Sequence, residues 1–279
     1  RAAAYYLTNT GAVEGDFSLQ MEYTHNTALK SDFFLSSFNA KLGVLRGAHI
    51  GNLTDLEEAL TRSEPFYTQD QFSYQINAPY QKINHHLLKW HTAYLLDEDH
   101  KFDFTFAIQR DLRKEFDVRR GGRSDIPSLN LNQHSNFIEI KYKGYFSNDW
   151  EITSGIQLNR TDNFNESGTG ILPLIPDYIS FETGLFAMAT KKTEQFSFEL
   201  GGRYDYLDQS VATISTGIPK AIKRYYNFAH NIGLAGGGSY AFSNGMDLSY
   251  NLGLASRNPG INERYSNGLH QGVSGIEEG

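Results

Sequence analysis

Polar and apolar residues alternate at every second position over long runs of this chain. The even positions of 102–108 hold Phe or Ile, and the odd positions between them hold Asp, Thr and Ala. Likewise, Met, Leu and Tyr occupy the even positions of 246–254, with Asp, Ser, Asn and Gly between them. A period of two predicts β-strands with one apolar and one polar face. Which face points outward decides the class of protein.

The pattern predicts about eleven strands joined by two kinds of connection, tight turns and long polar loops. The two kinds alternate over at least four consecutive hairpins. The strands are expected at 2–9, 16–25, 32–45, 82–95, 101–113, 130–146, 150–162, 178–191, 194–208, 225–242 and 245–256. The tight turns fall at 96–100, 147–149, 191–193 and 243–245, and the long loops at 46–81, 114–129, 163–177 and 209–224.

Strict alternation puts all tight turns at one end of an antiparallel sheet and all long loops at the other. This asymmetry is typical of an all-β, up-and-down transmembrane β-barrel, with short periplasmic turns and long extracellular loops. The face opposite the apolar one is too charged for a dry core and is expected to line a wet lumen. Its charged residues are Glu139, Lys141, Lys143, Glu151, Glu199, Arg203, Asp205 and Asp247. Two alternatives remain: a plugless porin-type channel, and a soluble surface-binding sheet packed on a second layer.

Composition narrows the function classes. A net charge of −7 gives no general affinity for nucleic acid. The chain has no cysteine, which excludes disulfides and thiolate metal sites or nucleophiles. No stretch approaches the roughly 18 apolar residues of a transmembrane helix. No catalytic motif is present, so neither an enzyme nor a cofactor is expected. One segment, 54–60, predicts a short loop helix with Thr54 as its N-cap and Glu57 completing a capping box.

Three stretches carry a family resemblance. They read FNAKLGVLRGAHIGNLTDL at 38–56, QRDLRKEFDVRR at 109–120 and SRNPGINERYSNGLH at 256–270. They resemble the TonB-dependent outer-membrane receptors, especially those of Bacteroidetes. The third is similar to the family's aromatic-Arg-Ala-Pro box and the loop after it, although Ser256 and Asn258 replace the aromatic residue and the alanine.

The resemblance implies an architecture larger than this chain. Such receptors hold an N-terminal plug inside a 22-stranded barrel, so about eleven strands make roughly half a barrel. We therefore expect 1–279 to be an internal part of the barrel domain, with the plug and the C-terminal strands outside it. The whole protein would lie in outer-membrane lipid, bind a scarce extracellular nutrient complex (a ferric siderophore, haem or similar) and import it with energy from the TonB complex acting through the plug.

Candidate ligand contacts fall in the loops. Arg113, Arg119 and Arg120 lie in a basic run around Gly121 and Gly122, and guanidinium groups could hold an anionic chelate by bidentate contacts. A solvated loop, or contact with lipopolysaccharide phosphates, would explain the same run.

The third stretch supplies further candidates by resemblance. His270 lies where some haem receptors of the family place an axial ligand, and Arg257 and Tyr265 belong to the same stretch. His49 is a second loop histidine that could bind haem or a metal. The identity of any metal is left open.

Overall fold

The computed structural model describes residues 5–48, 53–147, 149–270 and 275–278. Its main feature is one antiparallel sheet of ten long strands. These are β2 (Ala12–Thr24), β3 (Leu29–Gly43), β5 (Tyr80–Leu95), β6 (His100–Phe116), β7 (Leu129–Phe146), β8 (Trp150–Asn165), β9 (Asp177–Lys192), β10 (Phe196–Ile214), β11 (Ile222–Ala241) and β12 (Asp247–Ala255). Two small sheets pair β1 (Tyr6–Leu7) with β4 (Thr68–Gln69), and β13 (Asn267–His270) with β14 (Gly275–Glu278). The α-helices are α1 (Leu53–Thr61) and α2 (Ile261–Tyr265).

The ten strands follow each other in an up-and-down order, from β2 at one edge to β12 at the other. The connections at 25–28, 96–99, 147–149, 193–195 and 242–246 are short and share one end. The connections at 44–79, 117–128, 166–176 and 215–221 are longer and share the opposite end, which we call the loop end. The predicted all-β, up-and-down architecture is therefore confirmed.

The first predicted strand, 2–9, is the exception. Only Tyr6–Leu7 is extended, and it pairs with Thr68–Gln69 in a long loop instead of joining the main sheet. The chain bends at Asn9, which has a positive φ of 58°. The Asn9 side-chain amide donates to the carbonyls of Val44 and Pro79 at 2.8 and 2.7 Å, which fixes the bend. The predicted loop helix is present as α1, but it begins at Leu53, so Thr54 lies inside it and is not its N-cap.

Strand register sorts the side chains onto two faces. Directly paired residues share a face, and one row across six strands is wholly apolar. It runs through Met21, Phe33, Trp90, Phe106, Ile138 and Leu158. We call this side the apolar face. Many of its large side chains are exposed, including Met21 at 58%, so this face is not covered by a second protein layer in the described residues.

The opposite, polar face is organised by charge pairs. Asp103 is 5% exposed, and its carboxylate lies 2.9 Å from the Lys101 ammonium and 3.2 Å from Nε2 of His91. Farther along the sheet, Arg203 pairs with Asp205 at 2.6 Å and donates to the Gln157 side chain at 2.7 Å. All the charged residues that the sequence assigned to the lumen lie on this face by register.

Candidate ligand-binding site

A cavity of about 500 Å³ lies at the loop end of the sheet. Ligand pockets in proteins are commonly about 300–1,000 Å³. One wall is apolar and comes mainly from the β8–β9 loop, and the other is polar and comes from strand ends and α2. The apolar wall consists of Ile171, Leu172, Pro173, Leu174, Ile175 and Ile214, and the polar wall includes Ser128, Asn130, Asn165 and Asn262.

Most of the polar wall is already hydrogen-bonded. The Asn165 side-chain amide donates to the carbonyl of Ile175 and to the Asp177 carboxylate, at 2.9 and 2.8 Å. Ser128 donates its hydroxyl to the Glu115 carbonyl at 3.1 Å. The side-chain oxygen of Asn130, by contrast, is buried with no hydrogen-bond partner in the described residues.

The charges around the cavity are mixed. Arg113 lines it and lies 2.6 Å from the carboxylate of Glu115. Glu166 and Asp177 also line the cavity. One guanidinium against three carboxylates gives no excess of positive charge, so the cavity itself does not select a strongly anionic ligand.

Arg119 connects two loops. Its guanidinium donates to the carbonyl of Thr169 in the β8–β9 loop at 2.8 Å, and its backbone N–H donates to the Ser124 hydroxyl at 3.0 Å. Next to Thr169, Gly170 has a positive φ of 68°, a conformation that side-chain-bearing residues rarely adopt. Arg119 therefore holds the wall of the cavity in place, while its neighbour Arg120 is exposed to solvent.

The third family-like stretch folds into a compact corner after β12. The guanidinium of Arg257 donates to both carboxylate oxygens of Glu263, at 2.7 and 3.0 Å. The backbone N–H of Gly260 donates to the same carboxylate at 2.5 Å. These donors, Arg257 first and Gly260 second, lower the pKa of Glu263 to about 2. The corner fixes the start of α2, which carries Asn262 to the cavity.

Tyr265 joins this corner to the sheet. Its hydroxyl donates to the side-chain oxygen of Asn227 at 2.9 Å, and its ring lies 5.3 Å from that of Tyr225. Tyr225 is thus on the polar face. The Asn227 amide nitrogen and the Ser266 hydroxyl are buried without hydrogen-bond partners among the residues that the structure describes.

Neither histidine candidate has a side chain among those that the structure describes. His49 lies outside the described residues. His270 ends strand β13, and nothing about its side chain is described. The structure thus brings Arg113, Arg119 and α2 to one cavity, while Arg257 and Tyr265 support α2 from behind. No pattern in the sequence pointed to Asn130 or Asn262, because isolated asparagines form no motif; only strand and loop geometry brings them to one cavity.

Two absences complete the description of the site. Within the described ranges, no group of three or more His, Asp or Glu side chains could hold a metal ion. No helix in the same ranges is long and apolar enough to cross a membrane.

An up-and-down sheet with an exposed apolar face, a charged opposite face and a cavity among long loops defines a segment of an outer-membrane β-barrel. Residues 5–279 match the family model described as TonB dependent receptor-like, beta-barrel. The chain therefore belongs to the TonB-dependent receptor family, whose members are outer-membrane proteins.

Solved structures support the same fold. The open form of the ferric-catecholate import receptor Fiu from E. coli K12 has a TM-score of 0.68 and 11% identity, over 91% of this chain and 49% of that one. The siderophore receptor PiuA from Acinetobacter baumannii has a TM-score of 0.64 and 10% identity, over 95% of this chain and 45% of that one. The copper transporter OprC has a TM-score of 0.59 and 10% identity, over 92% and 38%. This chain spans about half the length of the first two receptors or less. No curated protein sequence matches it.

Proposed function

We propose that the whole protein is a receptor that captures a nutrient complex at the loop-end cavity and imports it with TonB-coupled energy. The observation that carries this proposal is the cavity of about 500 Å³ at the loop end, with one apolar wall and one polar wall. Import requires the plug and the remaining barrel strands, which we propose the rest of the polypeptide supplies. The protein then works by differential binding and release, not by covalent chemistry.

A ferric siderophore or a similar metal chelate is the ligand class that we propose. Fiu and PiuA, which share the fold, are described as receptors for ferric catecholates and siderophores. A chelate with apolar edges and peripheral hydroxyl or amide groups suits a cavity with one apolar wall and one polar wall. The mixed charge of the cavity favours a chelate of low net charge. An anionic chelate would depend more on the exposed Arg120.

The test is a titration of the full-length receptor with ferric catecholate, ferric hydroxamate and haem. We expect Asn262→Trp to weaken binding of the preferred chelate at least tenfold, because the indole would fill part of the cavity from the exposed helix α2. Lys220→Trp is the matched control, since Lys220 is exposed in the β10–β11 loop and does not line the cavity. Equal affinities for the two variants would contradict a ligand site here.

The haem arm of this titration also tests His270. If His270 is an axial ligand, His270→Ala lowers haem affinity and changes the haem absorption spectrum. Unchanged affinity and spectrum would remove it as a ligand. The full-length sequence distinguishes a receptor from a porin-type channel. If the whole protein has no plug domain and conducts small solutes without preference, it is a channel and the receptor proposal is wrong.

A further inference from the structure

A second cavity, of about 200 Å³, lies at the loop end, next to the small sheet of β1 and β4. It shares no lining residue with the larger cavity described above. Its wall is almost wholly polar, and we call it the amide pocket because four side-chain amides line it. These amides belong to Asn9, Gln69, Gln75 and Asn77, and they are joined by the guanidinium of Arg46 and the ring of Tyr67.

Hydrogen bonds within the chain hold the frame of the amide pocket in place. The side-chain oxygen of Asn9 accepts from the backbone N–H of Asn77 at 2.8 Å. Thr8 donates both its hydroxyl and its backbone N–H to the carbonyl of Tyr67, at 2.7 and 2.9 Å. Tyr67 has a φ of 56°, which is rare for an aromatic residue and persists only where the surrounding contacts impose it. These contacts therefore fix the direction in which the Tyr67 ring points.

Other polar groups of the amide pocket are not used by the chain. The guanidinium of Arg46 lies over the Tyr67 ring, with Cζ 4.5 Å from the ring centre. Stacking occupies the face of a guanidinium and leaves the N–H groups at its edge free to bind. Within the described ranges, Arg46 forms no ion pair or hydrogen bond, and the Gln69 amide has no partner. Arg46 and Gln69 are half-buried, whereas Ser73 and Gln75 are exposed at the rim, so a small molecule can enter.

The chemistry of the lining selects one class of ligand. No carboxylate lines the pocket in the part of the chain that the structure describes, so an ammonium group would have no partner there. A single guanidinium suits a single carboxylate, which it can hold through two parallel N–H bonds. A side-chain amide both donates and accepts, as a hydroxyl does, so Gln69, Gln75 and Asn77 suit neighbouring hydroxyl groups. The ligand is thus a polyhydroxylated carboxylate without an amine.

We propose that the amide pocket binds one unit of a sugar acid, a pyranose that carries a carboxylate. Arg46 holds the carboxylate, and Gln69, Gln75 and Asn77 pair with the ring hydroxyls. The pocket is smaller than the roughly 300–1,000 Å³ of sites for drug-sized ligands, so it takes a single unit. A free sugar acid and the terminal unit of an acidic polysaccharide present the same groups to it. This site is separate from the larger cavity and does not depend on which ligand that cavity takes.

The experiment is a ligand-observed NMR titration of the full-length protein in detergent with D-galacturonate, D-galactose and trigalacturonate. We expect galacturonate to bind about tenfold more tightly than galactose, because hydrogen bonds to a charged partner are the stronger ones. Arg46→Gln removes the charge and should make the two affinities equal. Gln69→Leu removes an amide at similar volume and should weaken both sugars by a similar factor. Tighter binding of the trimer assigns the site to a polysaccharide end, and equal binding assigns it to the free sugar acid.

Arg62→Gln is the matched control. The Arg62 guanidinium also lies over an aromatic ring, that of Phe66 at 4.3 Å, but it does not line the pocket. This variant makes the same change in net charge and should keep the preference for galacturonate. Circular dichroism and thermal unfolding establish that the variants are folded. Arg46→Lys keeps the charge without the two parallel donors and should show an intermediate preference.

Three results would overturn the proposal. The first is equal binding of galacturonate and galactose by the unaltered protein. The second is an undiminished preference in both Arg46→Gln and Arg46→Lys. The third is tighter binding of N-acetylalanine than of galacturonate, since this would indicate a site for the carboxyl end of a peptide.

Discussion

At the scale of single residues, the partners of each arginine decide what it does. Arg113 is paired with Glu115, Arg119 holds the Thr169 carbonyl, and Arg257 forms a bidentate pair with Glu263. Arg119 and Arg257 therefore shape loops, whereas Arg113, predicted in a loop, pairs within strand β6. Arg120, by contrast, keeps an exposed side chain.

The pair at Glu263 predicts a pH-dependent loop corner. Because the folded-state pKa of Glu263 is lowered to about 2 from 4.5, its contribution to stability is fully present above about pH 4.5. It is lost as the pH falls from there through about 2. We expect hydrogen exchange of residues 257–265 in the full-length receptor to speed up, beyond the intrinsic pH effect, across this window. In Glu263→Gln the corner should exchange faster at neutral pH and lose the transition.

Glu57→Gln, a change on the exposed helix α1, is the control and should leave the transition in place. An unchanged transition in Glu263→Gln would show that another carboxylate is responsible.

The sequence could not reveal the role of Arg119. A basic run in a loop is compatible with ligand contact, lipid contact or solvation. The partner of Arg119, Thr169, is 50 residues away in sequence and meets it only because two hairpin loops lie at the same end of the sheet. The sequence shows the corner after β12 only as a stretch that resembles the family. It does not show the bidentate pair of Arg257 and Glu263, because that pair depends on how the chain folds around Gly260.

At the scale of strands, the alternation of polar and apolar residues correctly predicted ten of the eleven expected strands and their order in the sheet. Period-two patterning succeeds here because one face of the sheet is apolar and the other is polar, so each strand carries its own signal. The predicted strand at 2–9 contains apolar residues but does not belong to the two-faced sheet. The hydrogen bonds of the Asn9 side chain direct this segment into the loops at the loop end. Strand ends were underestimated at β10, which runs to Ile214, because polar residues continue beyond the apolar band.

Adjacent residues of β8 test the assignment of the two faces. Leu158 pairs with Ile138 on the apolar face, and Asn159 pairs with Glu182 on the polar face. We expect Leu158→Lys to lower the free energy of unfolding in lipid vesicles by about 2–4 kcal/mol, the cost of a cation near the bilayer midplane. Asn159→Lys places the same charge opposite a carboxylate, and should change it by less than about 0.5 kcal/mol. The measurement is urea unfolding followed by tryptophan fluorescence, and a larger loss for Asn159→Lys would reverse the assigned faces.

At the scale of the whole molecule, the sheet has two free edges. Strands β2 and β12 each pair with one neighbour, and they do not pair with each other in the described registers. Unpaired backbone groups are very costly in hydrocarbon. Strands from the rest of the polypeptide are therefore expected on both edges, as in a barrel about twice this size.

The distance between the edges distinguishes a large barrel from a small one closed by β2 and β12. Ten strands about 4.8 Å apart and tilted by about 40° cover about 55 Å of arc, so the edges of a half barrel are roughly 35–40 Å apart. Met21→Cys and Leu252→Cys, introduced into a cysteine-free full-length receptor, place spin labels on the apolar face of each edge strand. In the full-length receptor, double electron–electron resonance should give a distance in that range. Labels at Met21 and Ser31, on paired strands, supply the short-distance control. A distance between Met21 and Leu252 as short as this control would mean that the ten strands close on themselves, leaving a lumen too narrow for a plug.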